Sequence, residues 1–479
     1  MKLERLFATC GLVPLLLSSA CTLTPVEQPE ALGSAQQAIA KTESRKIYVH
    51  LMPWFETPGF HWDMVGRHYN PQIGPYHSGD YKVIEYQLLL MKYAGIDGVI
   101  IDWPGRSTMF NDLPANAENT DQIIDQTAKF GMEFAVCFED QYAGDVNDAK
   151  NSMHWVRDHY FNKPNHIKIN NAPALFVFGP QKIAAGDWAG VLAETGTDPS
   201  FFSLWYNMGA GPARDGTFAW LYSDGLMGVR NYYDRPDQGT KVPVLYPGFN
   251  AAYPNGAPGW SIPYDAEGDT FTATWNLAKG VGTALQIATW NDYTEGTMIE
   301  PSNELGYKYL VKLQQLLGVS YGQQELEIVR LLFDKRKAND PKAEAASQAL
   351  IKLDVAGACA QLGCTAPVHD GSGGTGNNTA GTTSTTAGTS SMPMAGNGTG
   401  GSGNPTGGAG NASAGTANPT AGSGGDVTPL DDGSQDDSGS HEGRGCSVAA
   451  IGAPLPSTLG WLLGSVLLVA VRRRRSRLS

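Results

Sequence analysis

This chain of 479 residues has no basic stretch interleaved with aromatics, and its formal net charge is −13. A nucleic-acid partner needs a positive footprint, so none is expected. No Cys or His cluster has metal-ligand spacing: the nine His are scattered and only six Cys are present. No metal and no cofactor is therefore expected. No G-x-S-x-G is present either, which argues against a serine nucleophile on a strand–helix elbow. Residues 371–425 lack any charged or aromatic side chain. Such a stretch cannot bury enough apolar surface to offset its ordering entropy, and it reads as a disordered tether with a span of roughly 40 Å.

What is present begins with two address-like ends. Lys2 and Arg5 precede a short apolar run that ends in small residues, "LSSAC", as an export signal does, and residues 1–21 are read as a signal peptide. Cys21 is either a lipoprotein acceptor or part of a plain cleavage site. Residues 447–471 carry no charge and are followed by Arg472 to Arg475, a pattern long enough to span a bilayer with its basic end on the cytoplasmic side. With Cys446 just before it, the segment 445–479 resembles the C-terminal sorting tag of myxobacterial surface proteins, in which the Cys is the processing site. That resemblance implies an exported protein anchored through its termini at the cell surface or outer membrane, or released outside the cell. Cys359 and Cys364 ("CAQLGC") fit a local disulfide in an oxidising compartment.

Between the ends, short apolar runs alternate with helical patterns. The runs are "KIYVHLMPW", "GIDGVIID", "MEFAVCFED", "APALFVFG", "FFSLWYN", "GTFAWLYS", "VPVLYPGFN" and "ALQIATWND". Strands alternating with helices imply a parallel sheet, and this many repeats point to an α/β fold, a (β/α)8 TIM barrel over residues 44–320. A doubly wound open sheet is the alternative, weakened by the lack of a Gly-rich phosphate loop after the first run. "NTDQIIDQTAKFG" reads as a helix opening on an Asn/Thr/Asp cap and closing on Gly131. Residues 321–365 read as a helical extension, two patterns through residue 353. A linker (366–444), partly acidic, follows it.

In such a barrel function gathers where the strands end. The first run delivers Trp54, then His61 and Trp62; the second Asp102 and Trp103; the third Glu139 and Asp140; the fifth Tyr206; the eighth Trp290, Asn291, Asp292 and Glu295. Aromatic faces with acids suit a carbohydrate cleft, although edge-of-core packing is the alternative for any single Trp. Asp102 has a turn-capping alternative. Asp292 and Glu295, between two apolar segments, are hardest to dismiss: one of them can cap, but capping does not need both. Two carboxyls whose pKa values are pushed apart supply the acid and the base of glycoside hydrolysis.

The motif "TWNDYTEGTMIEP" resembles glycoside hydrolase families 71 (alpha-1,3-glucanases, "WNDY") and 99 (endo-alpha-mannosidases, "EGTxIEP"). "IGPYHSGDYKVIEYQLLLMKYAGIDGVIIDW" and "AVCFEDQY" resemble family 99 as well, and the resemblance covers roughly residues 46–317. It implies a barrel, an alpha-linked polysaccharide substrate (alpha-glucan or alpha-mannan), catalytic acids at Asp292 and Glu295, and a third acid at Glu139 near the sugar 2-hydroxyl. Family 99 has Glu where this chain has Asp292. The expectation is an exported, monomeric glycoside hydrolase with Glu295 as general acid and Asp292 as base. Trp54, His61, Trp62, Asp102, Trp103, Glu139, Asp140, Tyr206, Trp290 and Asn291 would bind the sugar. A non-catalytic surface glycan-binding protein on a degenerate barrel is the alternative; a structural adhesin is a third reading.

Overall fold

The computed structural model describes residues 39–63, 67–206, 209–253 and 258–368. The signal peptide, almost all of the linker and the sorting tag with its expected span lie outside them. Among the described residues no helix is long and apolar enough to cross a membrane.

The apolar runs become β1 (Lys46–Leu51), β2 (Gly98–Trp103), β3 (Glu133–Phe138), β4 (Ala172–Val177), β5 (Ser200–Leu204), β6 (Gly216–Phe218), β7 (Thr240–Val242 and Val244–Leu245) and β8 (Ala284–Ile287). All pair in parallel, each with its neighbour in sequence, and β1 also pairs with β8. Val49 of β1 therefore sits between Val99 of β2 and Ile287 of β8. Nearly every strand position is buried, as expected of parallel strands covered on both faces. Pro243 divides β7. Its first piece pairs with β6 and its second with β8, because proline supplies no N–H to a ladder. The Pro243 carbonyl still accepts from the Gln286 N–H at 2.9 Å, so the ring closes through it.

Helices α1 (Phe60–Asp63) and α2 (Tyr81–Tyr93) follow β1; α3 (Leu113–Thr127) follows β2; α4 (Val146–Trp155) follows β3; α5 (Trp188–Leu192) follows β4. Helix α6 (Gly225–Asp234) follows β6, α7 (Thr270–Ala278) follows β7, and α8 (Lys308–Leu317) follows β8. Asp80 and Asp145 cap α2 and α4 by accepting from backbone N–H groups in their first turns. Between β5 and β6 the described residues form only the short turn Gly211–Ala213, with no outer helix among them. Helix α3 starts at Leu113, earlier than the expected Asn/Thr/Asp cap. Asn119 and Thr120 lie inside the helix and face the core, where Asn119 Nδ2 donates to the Pro53 carbonyl at 2.8 Å. Gly131, with φ 71°, closes the segment as expected.

The extension beyond the barrel holds three helices where two were expected: α9 (Gln323–Lys337), α10 (Ala343–Ile351) and α11 (Val355–Leu362). Its apolar side chains belong to the same core cluster as the barrel. Buried Glu85 of α2 is the polar anchor. It accepts from Arg336 at 2.8 and 2.9 Å and from the Ser347 hydroxyl at 2.6 Å. Cys359 and Cys364 are joined by a disulfide. Removing one partner of a buried ion pair costs on the order of 3 kcal/mol because the other charge is stranded. Arg336→Met should therefore lower the unfolding free energy by about 3 kcal/mol in chemical denaturation, whereas Arg157→Met, at an exposed and solvent-screened pair, should leave the denaturation midpoint essentially unchanged.

Candidate active site

Four carboxyls from three strand ends converge. Asp102 is the penultimate residue of β2, Glu139 follows β3, and Asp292 and Glu295 lie on the loop after β8; their exposures are 3%, 6%, 6% and 3%. The loop leaves the sheet at Ile287, before the expected end at Trp290. Its first residues continue the hydrogen-bond pattern: Ala288 N–H donates to Leu245 and Trp290 N–H to His50. Asp292 Oδ1 then accepts the Glu295 N–H at 2.9 Å, while its own N–H donates to the Thr289 hydroxyl. This one-residue clamp folds the turn that brings Glu295 back over the barrel. Gly296 follows at φ +70°, where a side chain is strained, and a Cβ would meet the Tyr264 hydroxyl at 2.8 Å.

Water is scarce here, and burial raises every shifted acid of the group. Burial first, then Asp102 and Asp140, push Glu139 well above the usual carboxylate range against the Gln141 amide, which donates at 2.7 Å. Burial and the neighbouring Asp292 push Glu295 well up, opposed by the Tyr253 hydroxyl that donates to its Oε1. Asp292 is pushed up only to about 7, because the backbone N–H groups of Glu295 and Thr294 offset its burial. The environments thus separate two adjacent acids.

Of the other residues expected at the site, Tyr206 is 36% exposed and near enough to Glu295 and Glu139 to feel their charge. Trp54 is buried at the edge, stacked on His61 with centroids 5.5 Å apart; burial pushes the His61 imidazole down to about 4. Trp62 packs on Phe55 and donates to the Tyr76 carbonyl. The structure corrects four assignments. Trp103 and Trp290 are 0% exposed and so offer no face to a sugar. Asp140 accepts the backbone N–H groups of Gln181, Lys182 and Ile183, each at 2.8 Å, and its carboxylate is consumed in holding that loop. Asn291 bridges β1 to the loop, accepting from Met52 N–H at 2.8 Å and donating to the Met52 carbonyl and the Tyr76 hydroxyl.

Sequence reasoning missed Tyr253, His50, Gln286 and Glu300. No local pattern marks them, since their partners are distant in the chain. His50, fully buried inside the ring, sits between Asp102 and Gln286, with Nδ1 3.1 Å from Asp102 Oδ1 and Nε2 2.8 Å from Gln286 Oε1. His50, Asp102 and Cys137 bring ligand-type atoms within 4.8 Å of one another, but both imidazole nitrogens are engaged in these hydrogen bonds. Glu300 accepts from the Tyr76 and Tyr293 hydroxyls at 2.9 and 3.0 Å and from Gln87 at 2.8 Å.

Burial pushes Glu300 up to about 7. A carboxyl raised on folding contributes stability that is present below its unfolded value of about 4.3 and lost as pH rises through the folded value. Glu300→Gln should remove its share of that loss, up to about 3 kcal/mol. Thermal melts from pH about 4.3 to about 8 should thus fall less steeply for the variant than for the unmodified chain, and equal slopes would refute the assignment.

The family model described as Glycosyl hydrolase family 99 matches residues 55–207. The chain is 24% identical over 146 residues to the glycoprotein endo-alpha-1,2-mannosidase of Xenopus laevis, covering 28% of this chain and 31% of that protein. It is 23% identical over 284 residues to the enzyme of the same name from Rattus norvegicus, covering 50% and 57%. The chain thus spans between about a third and somewhat over half of these relatives. The solved GH99 endo-alpha-mannosidase from Bacteroides thetaiotaomicron is 16% identical, with a TM-score of 0.46 over 59% of this chain and 98% of that one. Residues 55–207, which carry the exits of β2, β3, β4 and β5, are thus similar to glycosyl hydrolase family 99.

Proposed function

We propose that the barrel is a glycoside hydrolase that cleaves an alpha-linked polysaccharide, with Glu295 as general acid and Asp292 as base. The observation that carries this is the separation of two adjacent carboxyls. Glu295, pushed well up by burial and by Asp292 beside it, is the one to give a proton to a leaving group, while Asp292, whose burial is offset by backbone N–H groups, is the one to ionise. Glu139, Asp102, Tyr206, Trp54 and His61 form the sugar-facing surroundings. Alpha-mannan is the favoured substrate over alpha-glucan because the similar curated proteins are named endo-alpha-1,2-mannosidases. The Cys359–Cys364 disulfide supports export to an oxidising compartment. Display at the cell surface as a monomer, through the terminal segments, completes the reading.

A second reading, a glycan-binding protein without turnover, draws on one feature: Asp292 Oδ1 is already engaged by the Glu295 N–H, on a side chain shorter than the family's Glu.

New reducing ends, measured on a panel of alpha-mannans and alpha-glucans, distinguish the two. The hydrolase should release them, and Glu295→Gln should cut the rate by about 10²- to 10⁴-fold with an unchanged melting temperature. Sugar binding without release by the unmodified protein would establish the second reading. Asp292 must be ionised, so kcat/KM should fall on the acid side with a limb near pH about 7, and Asp292→Asn, which cannot ionise, should lose the activity at every pH.

A further inference from the structure

The acid cluster has no Lys or Arg counter-charge: among the described residues, no ion pair joins either residue type to Asp102, Glu139, Asp292 or Glu295. The ion pair that reaches the group is His50 with Asp102. Its proton count follows from hydrogen-bond direction. Gln286 Nε2 donates to the Ala219 carbonyl at 2.5 Å, so the oxygen of that amide faces His50. An amide oxygen only accepts, and His50 Nε2 therefore carries a hydrogen. On the other side, Nδ1 and Asp102 Oδ1 stand 3.1 Å apart. Two lone pairs do not share that distance inside a protein without a proton between them. Whether this proton sits on nitrogen or oxygen, the pair as a unit is neutral.

The geometry points to His50 as the built-in counter-charge of Asp102: one proton held between them limits the negative charge that Asp102 presents to Glu139, Asp292 and Glu295. His50 is then a positioning residue acting through Asp102. The groups facing the pair come from every side of the barrel. Cys137 of β3 donates its S–H to Asp102, Glu139 follows on the same strand, Gln286 comes from β8, and Asp292 and Glu295 lie above. The rest of the imidazole's surroundings are rings, Phe218 stacked at 5.8 Å and Trp220 edge-on at 4.7 Å. Low polarity there makes a bare carboxylate costly and a shared proton favourable.

The kinetic arm of the test rests on the hydrolase reading, whereas the spectroscopic arm does not. In full-length protein with 15N-labelled histidine, His50 should show a protonated Nε2 and a far-downfield proton at Nδ1 throughout the active pH range. Asp102→Asn should remove the downfield signal. An unprotonated Nε2, or no proton at Nδ1 in the unmodified protein, overturns the proposal whatever the variants do. In kinetics, His50→Asn leaves Asp102 a bare anion, so the acid limb of kcat/KM should move up by about one pH unit. Asp102→Asn exchanges one neutral unit for another and should leave the limb in place. A purely structural His50 would lower stability without moving the limb, and that result, or a downward shift in Asp102→Asn, also refutes the idea. If no polysaccharide is cleaved, the hydrolase reading fails while the proton signals still decide the pair.

Discussion

Desolvation of carboxyls is the constraint on which the mouth of this barrel depends. A parallel ring covered on both faces excludes water from its interior, and the strand ends deliver Asp102, Glu139, Asp292 and Glu295 to the edge of that dry volume. Each carboxyl there must be neutralised, hydrogen-bonded or kept protonated. The structure uses all three solutions. Asp102 has an imidazole, Asp292 has backbone N–H groups, and Glu295 and Glu139, pushed well above the usual carboxylate range, have one hydroxyl or amide partner each. Chemical difference among identical functional groups arises here from what each is allowed to touch.

The supporting layer obeys the same rule. Asp140, Glu300 and Glu85 are buried acids too, and each is surrounded by donors: three backbone N–H groups, three side chains, and a guanidinium with a hydroxyl. Their donors come from separate segments, so each acid ties loops together. Asp140 fixes the loop after β4, Glu300 fastens the β1 loop and α2 to the loop after β8, and Glu85 seats the helical extension on α2. Acids with saturated hydrogen bonds hold the frame, and acids with few bonds are left for chemistry.

Much of this could be read in the chain. All the apolar runs became strands because a barrel strand is apolar on both faces and stands out by composition alone. The acid pair Asp292 and Glu295 was legible because two charges between apolar segments are costly at short range. The failures have a common cause. Trp103, Trp290 and Asp140 sit at strand exits as sugar-binding groups do, and what separates core from cleft there is the packing of segments distant in sequence. His50 and Gln286 are 236 positions apart, and within "KIYVH" a histidine looks like one more buried strand residue. The start of α3 was misplaced because Asn119 and Thr120, good capping residues, are used inside the helix instead: Asn119 bonds to Pro53 and Glu56, and the Thr120 hydroxyl donates back to the Asn116 carbonyl.

Gln286 ties together two features described separately above. Its backbone N–H joins β8 to the Pro243 carbonyl at the divided strand, and its side chain spans the interior from the Ala219 carbonyl to His50. The residue that stitches the seam of the ring is therefore also the one that orients the imidazole. The contacts that close the cylinder beside that proline and the contact that fixes the imidazole thus meet in one side chain and its backbone. Closure of the scaffold and the setting of its buried charges share one residue.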